Sequence, residues 1–170
     1  MKQLFTLVFI SFLVLTAING DAQTSTFILM RHAEKDTSVQ GSTMMQADPK
    51  LSADGEARAA RIPEVLKAYA PDAIYSTNYI RTKSTVTPLA KKAGKEIQVY
   101  DPRNLRGFAD ELLKMEGKTI VVAGHSNSTP MLVNLLLKEN KFPNLDESVY
   151  DTYWVVTVKD GKAEARQMKY

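Results

Sequence analysis

The chain has 170 residues, 44% of them hydrophobic and 24% charged, which fits one globular domain and excludes disordered and collagen-like chains. It has no cysteine, which excludes a disulfide scaffold, a cysteine-ligated zinc or iron–sulfur site, a cysteine nucleophile and a lipidated N-terminal cysteine. The net charge of +3, with no long basic stripe, is too balanced to make nucleic acid a partner.

In chain order, Lys2 supplies a positive start, residues 4–18 are apolar apart from Thr6, Ser11 and Thr16, and Gly20 and Ala22 are small residues at the spacing a signal peptidase reads. The pattern predicts an export signal over residues 1–22, cleaved after Ala22, and a folded domain over residues 23–170. The apolar run is 15 residues, short of the ~20 that a membrane-spanning helix needs. No membrane span is expected after cleavage, and the lysine-type start points to the periplasm or exterior of a bacterium.

Residues 26–30 form a short apolar run, read as a buried strand that ends at Arg31-His32. Residues 35–50 are polar, contain Gly41 and Pro49, and read as a loop. Ser52 caps a helix starting near Ala53, with Asp54 and Glu56 at its positive end; it is expected to reach about Tyr69, kinked at Pro63. Residues 73–75 form a second strand. A helix follows over residues 82–93, with a break expected at Pro88 and Thr87 as a cap. Residues 97–100 read as a strand, residues 108–115 as a helix, and residues 119–123 as the clearest buried strand, ending at Gly124-His125. A helix starts at Thr129-Pro130 with proline in first position and runs to about Lys138. Residues 153–158 and 163–168 alternate around Asp160-Gly161, a hairpin signal, and place Trp154 in the core. Strands alternating with helices imply an α/β sheet covered on both faces.

In such sheets ligands bind beyond the carboxyl ends of the strands. Arg31-His32, the segment from Ser76 to Arg81, and Gly124 to Asn127 each follow a strand, so both histidines of the chain and two arginines converge there if the strands are parallel neighbours. That set suits phosphoryl transfer. Guanidinium forks match the charged equatorial oxygens and stay ionised. A neutral imidazole can attack phosphorus and become phosphohistidine, and nearby arginines disfavour its protonation. A second imidazole can donate to an equatorial oxygen, and an acid must protonate the leaving oxygen.

Arg31-His32-Ala33 resembles the Arg-His-Gly/Ala signature of the histidine phosphatase superfamily, which has the phosphoglycerate mutase-like fold. Leu51-Ser52-Ala53-Asp54-Gly55 resembles its Leu-Thr/Ser-x-x-Gly helix start. Tyr75-Ser76 through Arg81-Thr82 and Ser84-Thr85 resembles its strand and arginine-bearing helix, and Gly124-His125-Ser126-Asn127 its second histidine motif. The resemblance spans about residues 27–137. It implies a three-layer α/β/α sandwich with a mainly parallel sheet. It makes His32 the phosphorylated nucleophile, and Arg31, Arg81 and His125 the phosphate pocket. It calls for no metal and no cofactor, and the arginines oppose a cation held by His32 and His125.

The acid is less defined. One branch of the superfamily has Asp directly after the second histidine, where this chain has Ser126. The other uses an acid between the arginine motif and the second histidine. Asp101, just past a strand, is the first candidate, and Glu34, near the nucleophile, is the second; Asp110 and Glu111 read as a solvated helix face. The expected activity is an exported phosphohydrolase acting on a small phosphorylated substrate or a phosphorylated macromolecule. A phosphomutase and a catalytically silent phospholigand-binding module are the alternatives, and the mutase would need a lid.

Overall fold

The structure, a computed structural model, describes residues 23–38 and 48–170. The N-terminal export signal, and Gly41, Met44 and Met45 of the 35–50 loop, lie outside the described residues.

The described residues form β1 (Ser25–Arg31), α1 (Ala53–Val65), β2 (Ala73–Ser76), α2 (Ile80–Ala93), β3 (Ile97–Val99), α3 (Leu105–Leu113), β4 (Thr119–Gly124), α4 (Ser128–Leu137), β5 (Thr152–Lys159) and β6 (Lys162–Lys169). One sheet runs in the order β3-β2-β4-β1-β5-β6. β3, β2, β4 and β1 are parallel neighbours, whereas β5 is antiparallel to β1 and β6 to β5. The sheet is therefore mixed: parallel through β3, β2, β4 and β1, and antiparallel at the β5–β6 edge. After α4, the segment 138–151 returns the chain to the carboxyl edge before β5 begins, so β5 has to run against β1.

Side chains alternate between the faces of the strands. Phe27, Leu29, Ile120, Val122, Trp154 and Val156 bury against Phe108 and Leu112 of α3 and Leu132 and Val133 of α4. Ile28, Met30, Val121, Ala123 and Val155 bury against Ile62 of α1 and Val86 and Leu89 of α2. Each Val, Leu, Ile, Phe or Met among them, fully buried, contributes about 1.5–3 kcal/mol. The central strands β1 and β4 are covered on both faces, which is why their sequences are continuous apolar runs and not alternating ones.

The helix ends differ from expectation for local reasons. α1 is capped by Ser52, whose Oγ accepts from Gly55 N at 3.1 Å. It stops at Val65, short of Tyr69, because beyond Pro63 the chain tightens into turns with Lys67 N on the Glu64 carbonyl and Tyr69 N on the Leu66 carbonyl. α2 starts two residues early and passes through Pro88 unbroken. Thr87 is no cap; its hydroxyl donates back to the Lys83 carbonyl at 2.8 Å. Lys91 and Lys92 fall in the last turn of α2, where their charge complements the helix dipole. α3 begins at Leu105 because Asn104 caps it, its side chain accepting from Gly107 N at 3.2 Å. α4 is capped by Asn127, which puts Pro130 third and not first. The terminal hairpin turns on Asp160 (φ 52°) and Gly161 (φ 71°), the left-handed pair that a two-residue connection requires.

Candidate active site

Strand register builds the site. β1 and β4 pair with Arg31 opposite Gly124, so His32 and His125 leave the sheet side by side at its carboxyl edge. Their rings lie 5.5 Å apart, edge to face. β2 pairs with β4 with Ser76 opposite Ala123, which brings Thr77 to the same edge, its Oγ1 3.0 Å from His125 Nε2. The first turn of α2 supplies Arg81. Arg31, His32, Arg81 and His125 all line one cleft of about 560 Å³, together with Lys35, Arg103 and Glu147.

The geometry fixes the tautomer of His32. Its Nδ1 lies 2.7 Å from the Ala33 carbonyl oxygen, which can only accept, so Nδ1 carries the proton and Nε2 keeps a lone pair. The backbone behind it is tied to α2. Ala33 N donates to Thr85 Oγ1 at 2.9 Å, and that hydroxyl donates to the Arg81 carbonyl at 2.8 Å. α1 is tied to the same segment: the Glu34 carbonyl accepts Ser52 N at 2.9 Å, and a methyl group at Gly55 would collide with that carbonyl. Gly55→Ala is therefore expected to cost about 1–3 kcal/mol through overpacking. A urea unfolding curve checks it, and a midpoint equal to that of the unmodified protein would remove Gly55 from this role.

Arg31 is 1% exposed and holds the 138–151 segment. Its Nη1 donates to the carbonyls of Asp146, Glu147 and Val149 at 3.0, 3.0 and 2.9 Å, and its Nη2 to Glu147 Oε2 at 2.8 Å. The guanidinium lies 4.1 Å from the centre of the Tyr150 ring. Arg81 lies over the Tyr79 ring at 4.6 Å and reaches Asp48 Oδ1 at 3.4 Å. Asp48 caps α2, its carboxylate accepting Ile80 N at 3.0 and 2.8 Å. The Nε–H groups of both arginines are buried with no partner among the described residues.

Both imidazoles are held neutral. Burial above all, helped by the charges of Arg81 and Arg31 and opposed by the Ala33 carbonyl, lowers the pKa of His32 to about 3. Burial, then Arg81 and Arg31, lowers His125 to about 4, with Glu147 opposing. The ordinary value is 6.5. Below that pH an unfolded chain takes up protons that the folded one refuses, so this contribution to stability is whole above pH 6.5 and falls away with acid. The chain has two histidines, so an untagged sample gives two imidazole signals by NMR. Neither is expected to titrate between about pH 5 and 8, and a midpoint near the ordinary histidine value would contradict the buried arrangement.

Neither carboxylate singled out from the sequence lines the cleft. Glu34 is turned onto Arg58, accepting Nε at 2.9 and 3.0 Å and Nη2 at 2.7 Å; against burial, that guanidinium holds its carboxyl below the usual range. Asp101 is turned onto Arg103, whose side-chain hydrogen bonds lower it in the same way. The residues missed were Thr77, Asp48, Lys35, Arg103 and Glu147. Glu147 had no sequence signal at all, since the 138–151 segment carries no motif and becomes part of the site only by folding over Arg31.

A neutral imidazole with a free lone pair, set among guanidinium groups at the carboxyl edge of an α/β sheet, is an arrangement suited to phosphoryl transfer. The model of the histidine phosphatase superfamily (branch 1) matches residues 27–106. Over those residues, a little under half of the chain, the sequence is similar to that superfamily. The match takes in the His32, Ser52 and Arg81 segments; His125 lies beyond it and joins them through the register of β1 on β4.

Solved structures share the fold. A mycobacterial glucosyl-3-phosphoglycerate phosphatase is 16% identical, with a TM-score of 0.63 over 87% of this chain and 99% of its own. The phosphoserine phosphatase of Entamoeba histolytica, in complex with 3-phosphoglyceric acid, is 17% identical, with a TM-score of 0.64 over 86% and 97%. A Nakamurella multipartitia protein assigned as the phosphohistidine phosphatase SixA is 20% identical, with a TM-score of 0.59 over 87% and 95%. No curated protein sequence matches the chain.

Proposed function

We propose that the protein is a metal-independent phosphohydrolase working through a phosphohistidine on His32, with the three-layer α/β/α architecture of phosphoglycerate mutase-like proteins. The observation that supports this is a His32 Nε2 that keeps its lone pair, in one cleft with Arg31 and Arg81, whose buried Nε–H groups have no partner among the described residues. A phosphoryl group in the cleft would meet both guanidinium side chains and the nucleophile at once. The Thr77 hydroxyl lies 3.0 Å from His125 Nε2; in the tautomer in which it donates there, Nδ1 of His125 carries the ring proton and can donate to a phosphoryl oxygen. Attack by Nε2 forms the P–N bond as the bond to the leaving oxygen breaks, and water then cleaves P–N to release phosphate. Each donor placed on the developing charge contributes about 10²–10³ in rate.

The relatives include a protein solved with 3-phosphoglyceric acid, which supports a small phosphorylated substrate here as well. The N-terminal pattern of Lys2, the apolar run and Ala22 supports export as part of the proposal; mass spectrometry of the secreted chain is expected to find Gln23 first. The activity is tested by phosphate release from p-nitrophenyl phosphate in the presence of EDTA. Turnover should persist, and rapid quenching should leave a base-stable, acid-labile phosphoryl group on His32. Turnover abolished by EDTA, or a label on another residue, would overturn the reading.

A further inference from the structure

We propose that Glu147 is the proton donor to the leaving group and, in the second step, the base that activates water. This role rests on the phosphohydrolase reading above. Among the described residues that line the cleft, Glu147 is the one carboxylate. Residues 39–47 contain no Asp or Glu, so that stretch of chain supplies no competitor. Asp48, the nearest other candidate, is spent on the N-terminus of α2.

The placement of Glu147 is specific. Its Oε1 accepts Ser126 Oγ at 2.6 Å, and Ser126 directly follows His125. Leu145 N donates to the Ser126 carbonyl at 2.9 Å, which seats the 138–151 segment beside the second histidine. Arg31 Nη2 holds Oε2 at 2.8 Å. A carboxylate thus stands next to His125 although no acid follows His125 in sequence. The Glu147 side chain is 52% exposed, so it exchanges protons with water.

Ser126, Arg31 and Lys35 face this carboxyl and, against burial, hold it ionised at rest, with His125, Tyr150 and Arg81 around it. An entering phosphoryl dianion competes for the Arg31 guanidinium and adds like charge beside the carboxylate, and both effects favour its protonation. The reaction then balances. Nε2 of His32 gives its electron pair to phosphorus, the P–O bond breaks, and the leaving oxygen takes the proton of Glu147. In the second half, the carboxylate takes a proton from water as the water oxygen bonds to phosphorus, and the P–N electrons return to His32.

The test uses Glu147→Gln and Glu147→Asp on two esters. Glycerol 2-phosphate has a leaving group that needs a proton; p-nitrophenyl phosphate does not. Glu147→Gln is expected to lower kcat on glycerol 2-phosphate by about 10²–10⁴-fold. On the aryl ester it should still release one nitrophenolate per chain in a burst, then turn over slowly with phosphohistidine accumulating. That burst shows the variant to be folded, and the ratio of burst to turnover tests the base role on this ester alone. Glu147→Asp should recover part of the lost rate. Glu147→Gln equal to the unmodified protein on the aryl ester, or slowed by the same factor in burst and turnover, would overturn the role and leave Glu147 as a positioning residue for Arg31. A failure of the unmodified protein to label His32 would overturn the phosphohydrolase reading and this role with it.

Discussion

Replacement of His32 by alanine is expected to lower kcat on p-nitrophenyl phosphate by at least about 10⁴-fold while leaving the protein folded, on the scale seen when a nucleophile that acts as part of a unit is removed. The reason is local. The ring donates only to the carbonyl of the next residue, Ala33. The segment that carries it is held by backbone bonds: His32 N on the Gly124 carbonyl at 2.9 Å, and Ala33 N on Thr85. Alanine keeps all of these. The expected loss of stability is the ordinary one for a buried side chain, about 1–3 kcal/mol. Steady-state kinetics together with a thermal melt decide the matter. Activity retained in a folded His32→Ala protein would remove the phosphohistidine, and with it the proposed mechanism.

The second large effect separates two arginines that look equivalent in sequence. Arg31→Ala should lose both activity and stability, whereas Arg81→Ala should lose activity almost alone. Arg31, itself 1% exposed, donates to three backbone carbonyls of the 138–151 segment and anchors Glu147, so its removal empties a buried site and cuts the tie between that segment and β1. The void left by the buried side chain, with the lost hydrogen bonds, is expected to cost about 2–5 kcal/mol, equivalent to a fall in Tm of roughly 10 °C for a domain of this size. Arg81 contacts Asp48 at 3.4 Å and the face of Tyr79, and neither contact holds a segment of chain in place. Its loss should leave Tm within a few degrees while lowering kcat/KM by about 10²–10³-fold. Calorimetry on both variants is the check, and equal melting temperatures would show that Arg31 does not anchor the 138–151 segment.

Elements buried on both faces were legible in the sequence because burial leaves a continuous apolar run. β1 and β4 were found to within a residue or so. The hairpin of β5 and β6 was found because Asp-Gly is what a two-residue connection with left-handed torsions requires. Helix boundaries were less legible, since Asn104 and Asn127 act as caps only where the preceding strand and turn deliver them. The prolines misled in opposite directions. α2 runs through Pro88, held by packing on the sheet, while α1 ends soon after Pro63 in tight turns.

The four residues brought together at the cleft, Arg31, His32, Arg81 and His125, were within reach of sequence reading because each stands at or just past the end of a strand, or in the first turn of the following helix. Glu34 and Asp101 were reasonable acids by position in the chain. Chain position says nothing of where a side chain turns, and both turn onto arginines outside that set, Arg58 and Arg103.

The sequence by itself determined the α/β class, the strands that form the core, the superfamily resemblance and four of the residues that line the cleft. These follow from local patterns: apolar runs, turn residues, and charged groups at strand ends. Only the tertiary structure decided which strands are neighbours, that the sheet is mixed, and that Glu147 comes to lie between Ser126 and Arg31. Those depend on contacts between residues about twenty to more than a hundred positions apart, Ser126 to Glu147 and Arg31 to Glu147 among them. No short window of sequence records such contacts, because they join the 138–151 segment to the end of β1 and to the turn after β4.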